Sequence, residues 1–265
     1  MIRPDFIAPV FDAVRQAAAQ IMTVYENDFS VELKEDKSPV TQADLLSSEI
    51  LFNVLIKTNI TVVSEESKIP EFANRIREEY IWLVDPLDGT KEFIKRNGEF
   101  CINIALIQNQ QPIFGIIADP VNQKILYGGL STGIFCQSLH EKKIFSTDFL
   151  LQPKPLPKSR GLIFSRSHFT HEVSALVNKL EERYGTLRLI KKGSALKFFN
   201  LVEGDAHFYP RMAPTMEWDI AAGDAIYRAV GGEVLDFTNF EPIRYNKADL
   251  RNPNFIAKPA NLKID

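Results

Sequence analysis

The segment 80–90, YIWLVDPLDGT, constrains the fold more than any other part of this sequence. Its first five residues predict a buried strand. We expect that strand to end at Pro86, because proline fixes φ and has no N–H to donate. Two carboxylates, Asp85 and Asp88, with a backbone carbonyl between them suit a hard cation such as Mg²⁺, and Gly89 lets the backbone approach it closely. A solvated Asp-Pro turn explains the same residues equally well.

Two further segments carry acids where an element begins or ends. TVVSEE at 61–66 is a β-branched strand pattern that ends in Glu65 and Glu66, and WDIAAGD at 218–224 opens a predicted helix with Asp219 in its first turn. Taken separately, the first is explained by a charged loop and the second by the helix dipole. Taken together with the segment 80–90, they favour a metal-dependent phosphate enzyme.

Three motifs resemble the signatures of the inositol monophosphatase superfamily: SEE at 64–66, DPLDGT at 85–90 and WDIAAG at 218–223. The resemblance covers nearly the whole chain, from PVTQAD at 39–44 to the C-terminal segment. It implies a layered α/β (α+β) fold, an α-β-α-β-α sandwich with its site at the junction of two halves. It also implies a magnesium-dependent, lithium-sensitive phosphatase.

Narrower motifs resemble the CysQ-type 3'(2'),5'-bisphosphate nucleotidases within that superfamily. They are KEF at 91–93, SRSH at 165–168, GSALKF at 193–198, YPR at 209–211 and the pair Pro214-Thr215 before Trp218. This resemblance implies removal of the 3'-phosphate of adenosine 3',5'-bisphosphate, a by-product of sulfate activation, to give AMP and phosphate.

The resemblance further implies which residues hold the metal and the substrate. Two or three Mg²⁺ ions are expected, with the ligands Glu65, Asp85, Asp88, Asp219 and the backbone carbonyl of Leu87, whereas Glu66 corresponds to a position outside the direct ligands. The implied substrate contacts are Gly89, Thr90, Lys91, Gly193, Ser194, Lys197, Arg211 and His168.

Asp44 has two competing roles. TQAD at 41–44 ahead of two leucines has the form of a helix-capping box, which places Asp44 at the third helical position. The superfamily motif instead pairs this aspartate with Thr90 to position the attacking water. Spacing alone favours capping, but the resemblance leads us to interpret Asp44 and Thr90 as catalytic.

The predicted phosphate contacts also have a physical form. Thr90 and Lys91 follow a glycine turn, where N–H groups can face a phosphate. Gly193-Ser194 offers free amides and a hydroxyl before a predicted helix, and Lys197 and Arg211 add the cations that a second phosphate needs. An ordinary N-cap serine and ordinary surface charges are the alternatives.

Two other functions stay open. The first is an inositol monophosphatase or a broader sugar-phosphate phosphatase. Inositol enzymes usually carry an acid between the Gly-Ser/Thr motif and the Trp-Asp motif to hold substrate hydroxyls. Arg211 and Thr215 occupy that region here, but Glu217 leaves the alternative open. A non-catalytic nucleotide-binding protein is the third reading, and the full set of ligand carboxylates argues against it.

Composition limits the kinds of partner and cellular location that we expect for this protein. The net charge of −3 argues against binding to a nucleic-acid polymer, and the implied partner is a small nucleotide bisphosphate. Cys101 and Cys136 are too few for a disulfide framework. No apolar run reaches ~20 residues and the N-terminus lacks a secretory apolar region, so we expect a cytoplasmic protein, monomer or homodimer. The resemblance alone also allows peripheral association with the inner membrane.

Periodicity predicts two halves, with a boundary in the proline-rich stretch 152–157. An N-terminal α+β half, 1–150, carries the metal-binding motifs, and a C-terminal α/β half, 151–265, completes the site. The first half is predicted as helices 5–26 and 42–57, an irregular loop over 31–41, and strands 60–63, 80–84, 100–107, 112–118, 125–128 and 133–136, the last four as an antiparallel meander. The second is predicted as strands 161–165, 186–190, 206–209 and 233–236 and helices 170–184, 194–203 and 217–230.

Overall fold

The structure, a computed structural model, describes residues 3–34, 38–152, 159–166 and 169–264. The helices in these ranges are α1 (Pro4–Glu26), α2 (Gln42–Leu55), α3 (Phe72–Arg75), α4 (Thr90–Ile94), α5 (His171–Tyr184), α6 (Lys197–Val202) and α7 (Glu217–Arg228). The strands are β1 (Val31–Leu33), β2 (Pro39–Thr41), β3 (Thr61–Ser64), β4 (Tyr80–Asp88), β5 (Cys101–Gln108), β6 (Gln111–Asp119), β7 (Lys124–Gly129), β8 (Gly133–Ser138), β9 (Gly161–Ser165), β10 (Arg188–Lys192), β11 (Tyr209–Arg211), β12 (Gly232–Asp236) and β13 (Phe255–Pro259).

A six-stranded sheet with the order β3-β4-β5-β6-β7-β8 forms the first β layer. β3 and β4 are parallel, and every later pair is antiparallel, which confirms the predicted meander. Alternate side chains of β4 face opposite sides of the sheet. Trp82 and Val84 pack in a cluster with α1 and α2, while Ile81 and Leu83 pack in a second cluster with α6 and α7. The sheet is therefore buried between two helical layers.

The second β layer lies beyond α6 and α7. It consists of the parallel pair β9-β10 and the antiparallel sheet β11-β13-β12, joined by a bridge between Leu162 and Phe208. Ile163 packs toward α7, whereas Leu162 and Phe164 pack with Leu176 of α5 on the outer face. The five layers confirm the predicted α-β-α-β-α sandwich.

Two glycines allow α7 to lie very close to its neighbours. A Cβ on Gly115 of β6 would lie 2.1 Å from the carbonyl oxygen of Ala222, and one on Gly223 would lie 2.0 Å from the Phe198 ring. Both distances are shorter than a van der Waals contact, so neither position has room for a side chain. The backbone of α7 therefore packs directly against the sheet and against α6. This packing carries the start of α7, with Asp219, to the edge of the sheet.

Several sequence-based expectations were wrong in detail, among them the strand expected at 206–209, which the structure has at Tyr209–Arg211. β4 continues past Pro86 to Asp88, because an irregularity in its pairing with β5 between Asp85 and Asp88 accommodates the proline. The segment 31–41, expected as a loop, contains the short antiparallel pair β1-β2. The helix expected from 194 begins at Lys197, after a turn. Strand β13 was not predicted at all.

The division at residue 150 stays a prediction, and most of its proline-rich stretch, 153–158, lies outside the described residues. One hydrophobic cluster joins residues from both sides of that division, such as Leu83 and Tyr245. Both cysteines are free thiols; Cys101 is buried and Cys136 half-buried. Among the helices the structure describes, none is apolar over a length sufficient to span a bilayer.

Candidate metal and phosphate site

Parallel pairing brings two acidic segments to one edge of the first sheet. Ser64 of β3 is opposite Val84 of β4, and the N–H of Glu65 donates to the carbonyl of Val84 (3.2 Å). Asp85 is the next residue of β4. Because parallel strands end at the same edge, the side chains of Glu65 and Asp85 meet there.

The first turn of α7 adds a third acid. One carboxylate oxygen each of Glu65, Asp85 and Asp219 lies within 4.8 Å of the other two. Asp219 also accepts the N–H of Met216 (2.9 Å), so it caps its own helix and joins the cluster at once. The structure thus brings together three of the predicted metal ligands.

These carboxylates repel one another unless a cation is bound. Burial raises the pKa of Asp85 well above its ordinary value, and the charges of Glu65, Asp88 and Asp219 raise it further. Burial, followed by the charge of Asp88, has the same effect on the pKa of Asp219. Clustered carboxylate oxygens are the ligands that Mg²⁺ prefers, and a bound cation would offset their mutual repulsion. The group therefore fits Mg²⁺.

Asp88 lies in the same cleft, but one of its oxygens is already occupied. Its Oδ2 accepts the N–H of Ala195 (2.6 Å), the side-chain amide of Asn103 (3.1 Å) and the thiol of Cys101 (3.8 Å). Only Oδ1 is then left to face a cation. Asn103 was not predicted as a site residue, although an asparagine inside the apolar run CINIALIQ is an unusual polar residue at a position that the structure shows to be fully buried.

Some residues of the DPLDGT segment form hydrogen bonds within the protein, and others line the cleft. The carbonyl of Pro86 accepts the hydroxyl of Ser47 on α2 (2.7 Å), and the N–H of Leu87 donates to Asp85 Oδ1 (3.0 Å). Leu87 lines the cleft and its carbonyl is 3.4 Å from the hydroxyl of Thr90; its role as a metal ligand stays a prediction. Gly89 has a φ of 99°, and a Cβ there would lie 2.9 Å from the carbonyl oxygen of Glu99.

Lys34 was not predicted as a site residue. Its ammonium lies 3.0 Å from Glu65 Oε1 and also contacts Glu66 Oε1. Burial lowers the pKa of Lys34, but the two glutamates outweigh burial and hold that pKa above its ordinary value. Lys34 therefore neutralises the outer edge of the carboxylate cluster, and Glu66 belongs to this ion pair rather than to the three-oxygen group.

The two oxygens of Asp44 have different partners, so the side chain can cap α2 and contact Thr90 at the same time. Oδ2 accepts the N–H and the hydroxyl of Thr41 (2.8 and 2.6 Å), which completes the capping box of α2. Oδ1 accepts the hydroxyl of Thr90 (2.9 Å). The side chain is 1% exposed, and burial raises its pKa while these hydrogen bonds oppose the rise.

A cleft of about 370 Å³ is lined by the clustered carboxylates and also by Lys91, Lys197 and Arg211. Lys197 is 3% exposed; its ammonium contacts the carbonyl of Ser194 and lies 4.9 Å from the centre of the Tyr209 ring. Burial lowers the pKa of Lys197 to about 8, and the charge of Asp88 opposes that change. The cleft therefore contains both carboxylates and cations, and the charges of Lys197 and Asp88 interact within it.

Two of the three amides in the turn at 193–195 are already occupied. The N–H of Gly193 donates to Glu99 Oε2 (2.7 Å) and that of Ala195 to Asp88. Carboxylates from the first half of the chain occupy these donors, whereas Ser194 lines the cleft. His168, another predicted substrate contact, lies outside the described residues.

The raised carboxylate pKa values predict a pH-dependent response to metal. Charged Asp85 and Asp219 cost the metal-free protein stability at pH values above their raised pKa values, and protonation relieves that cost as the pH falls. Mg²⁺ needs the charged forms, so we expect it to raise the melting temperature more at about pH 8 than at about pH 5. Thermal denaturation with and without MgCl₂ measures this, and a rise independent of pH would contradict it.

Comparison with known proteins gives one consistent result. The model of the inositol monophosphatase family matches residues 5–263. The 3'(2'),5'-bisphosphate nucleotidase CysQ of Shigella flexneri is 36% identical over 251 residues, 93% of this chain and 96% of its own length. The crystal structure of CysQ from Bacteroides thetaiotaomicron superposes with a TM-score of 0.86 at 39% identity, over 98% of this chain and 99% of that one. An IMPase/NADP phosphatase solved with Mg²⁺ and phosphate shares the fold, with a TM-score of 0.71 at 16% identity over 93% of this chain and 86% of that one.

Proposed function

The chain belongs to the inositol monophosphatase family, and we propose that it is a magnesium-dependent 3'(2'),5'-bisphosphate nucleotidase. It converts adenosine 3',5'-bisphosphate to AMP and phosphate. The observation that carries this proposal is the shared cleft, in which a carboxylate cluster and the cations Lys197 and Arg211 line one cavity. A substrate with two phosphates can use both the metal-binding carboxylates and these cations, and the likeness to CysQ over nearly the full chain supports this substrate.

The donor set fits two or three magnesium ions. Glu65, Asp85, Asp219, Asp88 through Oδ1 and the carbonyl of Leu87 would hold them. When bound, Mg²⁺ neutralises charge on the phosphoryl oxygens and lowers the pKa of a coordinated water.

The chain's own proton-transfer groups are Thr90 and Asp44. The hydroxyl of Thr90 donates to Asp44 Oδ1 (2.9 Å), so the lone pairs of Thr90 Oγ1 are directed away from that bond and can accept a proton from water. As water attacks phosphorus, the bond from phosphorus to the 3'-oxygen breaks, the proton of the water passes to Thr90 Oγ1 and the hydroxyl proton of Thr90 passes to Asp44 Oδ1. The 3'-oxygen takes its proton from solvent to give the hydroxyl of AMP. The capping bonds from Thr41 hold the carboxylate in place for this transfer.

The 5'-phosphate, which is not cleaved, binds to the cations that line the cleft. Lys197 and Arg211 provide its charge partners, and Lys91 stands at the same cleft. The guanidinium of Arg211 is held by the carbonyls of Ala213 (3.1 Å) and Pro214 (3.2 Å), which orients it before substrate arrives.

The inositol phosphatase alternative required Glu217 to hold substrate hydroxyls. The carboxylate of Glu217 is fully buried and instead accepts the N–H groups of Asn246 (2.5 Å) and Lys247 (3.1 Å). Because its oxygens bind the loop at Asn246 and Lys247, they are not available to substrate hydroxyls. This favours the nucleotidase over the inositol phosphatase. Phosphate release from adenosine 3',5'-bisphosphate and from inositol 1-phosphate, measured side by side with and without Mg²⁺, tests the proposal. Faster hydrolysis of inositol 1-phosphate would reverse the assignment.

Arg211→Ala is expected to weaken activity on the bisphosphate selectively. A charge-assisted contact contributes about 1.5–3 kcal/mol, so the preference for the bisphosphate over 3'-AMP should fall by roughly tenfold to a hundredfold. The measurement is kcat/KM for both substrates. Arg188→Ala is the control, because that guanidinium bonds the carbonyl of Asp205 (2.5 Å) outside the residues that line the cleft. Equal losses on the two substrates would mean that Arg211 serves the reaction centre or the fold.

A further inference from the structure

The carboxylate of Glu99 joins three segments that are distant in sequence. Glu99 lies between β4 and β5. Its Oε2 accepts the N–H of Gly193 (2.7 Å) and Nε of Arg166 (2.9 Å), and its Oε1 accepts the second nitrogen of that guanidinium (2.5 Å). Arg166 follows β9 directly, and the preceding Ser165 lines the cleft. One side chain thus links the end of the second β layer to the turn before α6.

The turn 193–195 is packed against Glu99 as closely as backbone allows. A Cβ on Gly193 would lie 3.0 Å from Cβ of Glu99 and 3.0 Å from its carbonyl oxygen. The next residue, Ser194, has a φ of 46°, in the left-handed region that a serine rarely adopts. A strained conformation of this kind persists only where surrounding contacts hold it.

The same turn determines the position of several site groups. Its far end, the N–H of Ala195, donates to Asp88 Oδ2 (2.6 Å), and the carbonyl of Ser194 accepts the ammonium of Lys197. A shift of the turn would therefore move the hydroxyl of Ser194 and the ammonium of Lys197 together. Glu99 holds the near end of this turn and Asp88 holds its far end.

We propose that Glu99, oriented by Arg166, is a positioning residue that fixes the turn 193–195 and thereby sets the substrate-binding geometry of Ser194 and Lys197. The effect on substrate rests on the proposed function. Glu99 itself acts through the turn and does not need to contact the substrate.

The pair contributes little to the stability of the fold. The side chains of Arg166 and Glu99 are 43% and 17% exposed, and ion pairs with this exposure are largely screened by solvent. Burial raises the pKa of Glu99, but its bonds with Arg166 and the N–H of Gly193 outweigh burial and hold that pKa below its ordinary value. The carboxylate is thus charged at neutral pH and available to the turn.

Glu99→Ala is expected to raise KM for adenosine 3',5'-bisphosphate by about tenfold to a hundredfold, the range typical for loss of a residue that orients a site group. The value of kcat at saturating substrate and the melting temperature should change little. Glu99→Gln keeps an oxygen that can accept the N–H of Gly193, so its KM should stay within about threefold of the wild type. Arg166→Ala should lie between the two variants.

Glu233→Ala is the matched control, because Glu233 forms an ion pair with Lys258 (2.7 Å) whose members are 39% and 8% exposed and do not line the cleft. The amide proton of Gly193, observed by ¹H–¹⁵N NMR without substrate, should lose its downfield shift in Glu99→Ala and largely keep it in Glu99→Gln. This second measurement tests the contact even if the wild type fails to hydrolyse the bisphosphate, an outcome that would reject only the proposed function.

Three results would overturn the inference. The first is a wild-type KM in Glu99→Ala, and the second is an unchanged amide resonance of Gly193. The third is a joint loss of kcat and melting temperature in Glu99→Ala that Glu99→Gln does not relieve, because it would assign Glu99 a purely structural role.

Discussion

Asparagine in place of Asp85 is expected to lower turnover by a factor on the order of 10³ or more while making the metal-free protein more stable. Asp85 sits in the three-oxygen group with Glu65 and Asp219, and burial together with the neighbouring carboxylates raises its pKa. An amide removes the buried charge but keeps an oxygen to accept the N–H of Leu87. It is a poor ligand for Mg²⁺, since it carries no charge.

The measurement combines phosphate release at saturating Mg²⁺ with thermal denaturation. The melting temperature of Asp85→Asn without metal should exceed that of the wild type, and added MgCl₂ should raise it far less than it raises the wild-type value. Asp119→Asn is the control: Asp119 is also buried, but its carboxylate caps a turn through Asn122 (3.0 Å) outside the cluster. Turnover close to the wild-type rate in Asp85→Asn would reject the metal site.

Removal of the Asp44 side chain is expected to cost both rate and stability, because its two oxygens serve different partners. Loss of the cap should cost about 0.5–2 kcal/mol, and loss of the proton-accepting group should lower kcat by about 10²–10⁴. Two single-hydroxyl variants separate the effects. Thr41→Val removes hydroxyl contacts of the cap, while Thr90→Val removes the bond to Asp44 Oδ1 and a longer contact with the carbonyl of Leu87 (3.4 Å).

Urea denaturation and kcat, measured on Asp44→Ala and both threonine variants, give the required comparison. Thr41→Val should be less stable with a nearly normal kcat, and Thr90→Val should be nearly as stable as the wild type with a rate close to that of Asp44→Ala. If Thr90→Val retains full activity, Asp44 is a capping residue alone and the attacking water is oriented by other groups.

Local patterns in the sequence were sufficient for most elements. The apolar spacing of α1 and the β-branched run of β3 are properties of a few neighbouring residues, and the structure has both elements within a residue or two of their predicted bounds. Glu65, Asp85 and Asp219 were recognised for the same reason, because each directly follows a strand or opens a helix. The error at Pro86 arose because a bulge depends on the partner strand β5, which the run YIWLVDP does not reveal.

The direction of each polar side chain was decided by the tertiary structure. Glu217 and Asp219 stand two residues apart on the same helix. The carboxylate of Glu217 binds a loop about 30 residues away, whereas that of Asp219 joins the carboxylate cluster. The donors of the turn 193–195 are taken by carboxylates 94 and 107 positions earlier in the chain.

The sequence by itself thus determined most of the elements and the acids placed near their ends, because these depend on side chains within one or two turns of one another, and its motifs indicated the family by resemblance. Only the tertiary structure decided that Lys34 pairs with Glu65, that Asp88 Oδ2 is occupied, and that Glu99 holds Gly193. Hydrogen bonds and ion pairs have a reach of about 3 Å. Which groups come within that reach depends on how the five layers pack, and packing is a property of the whole chain.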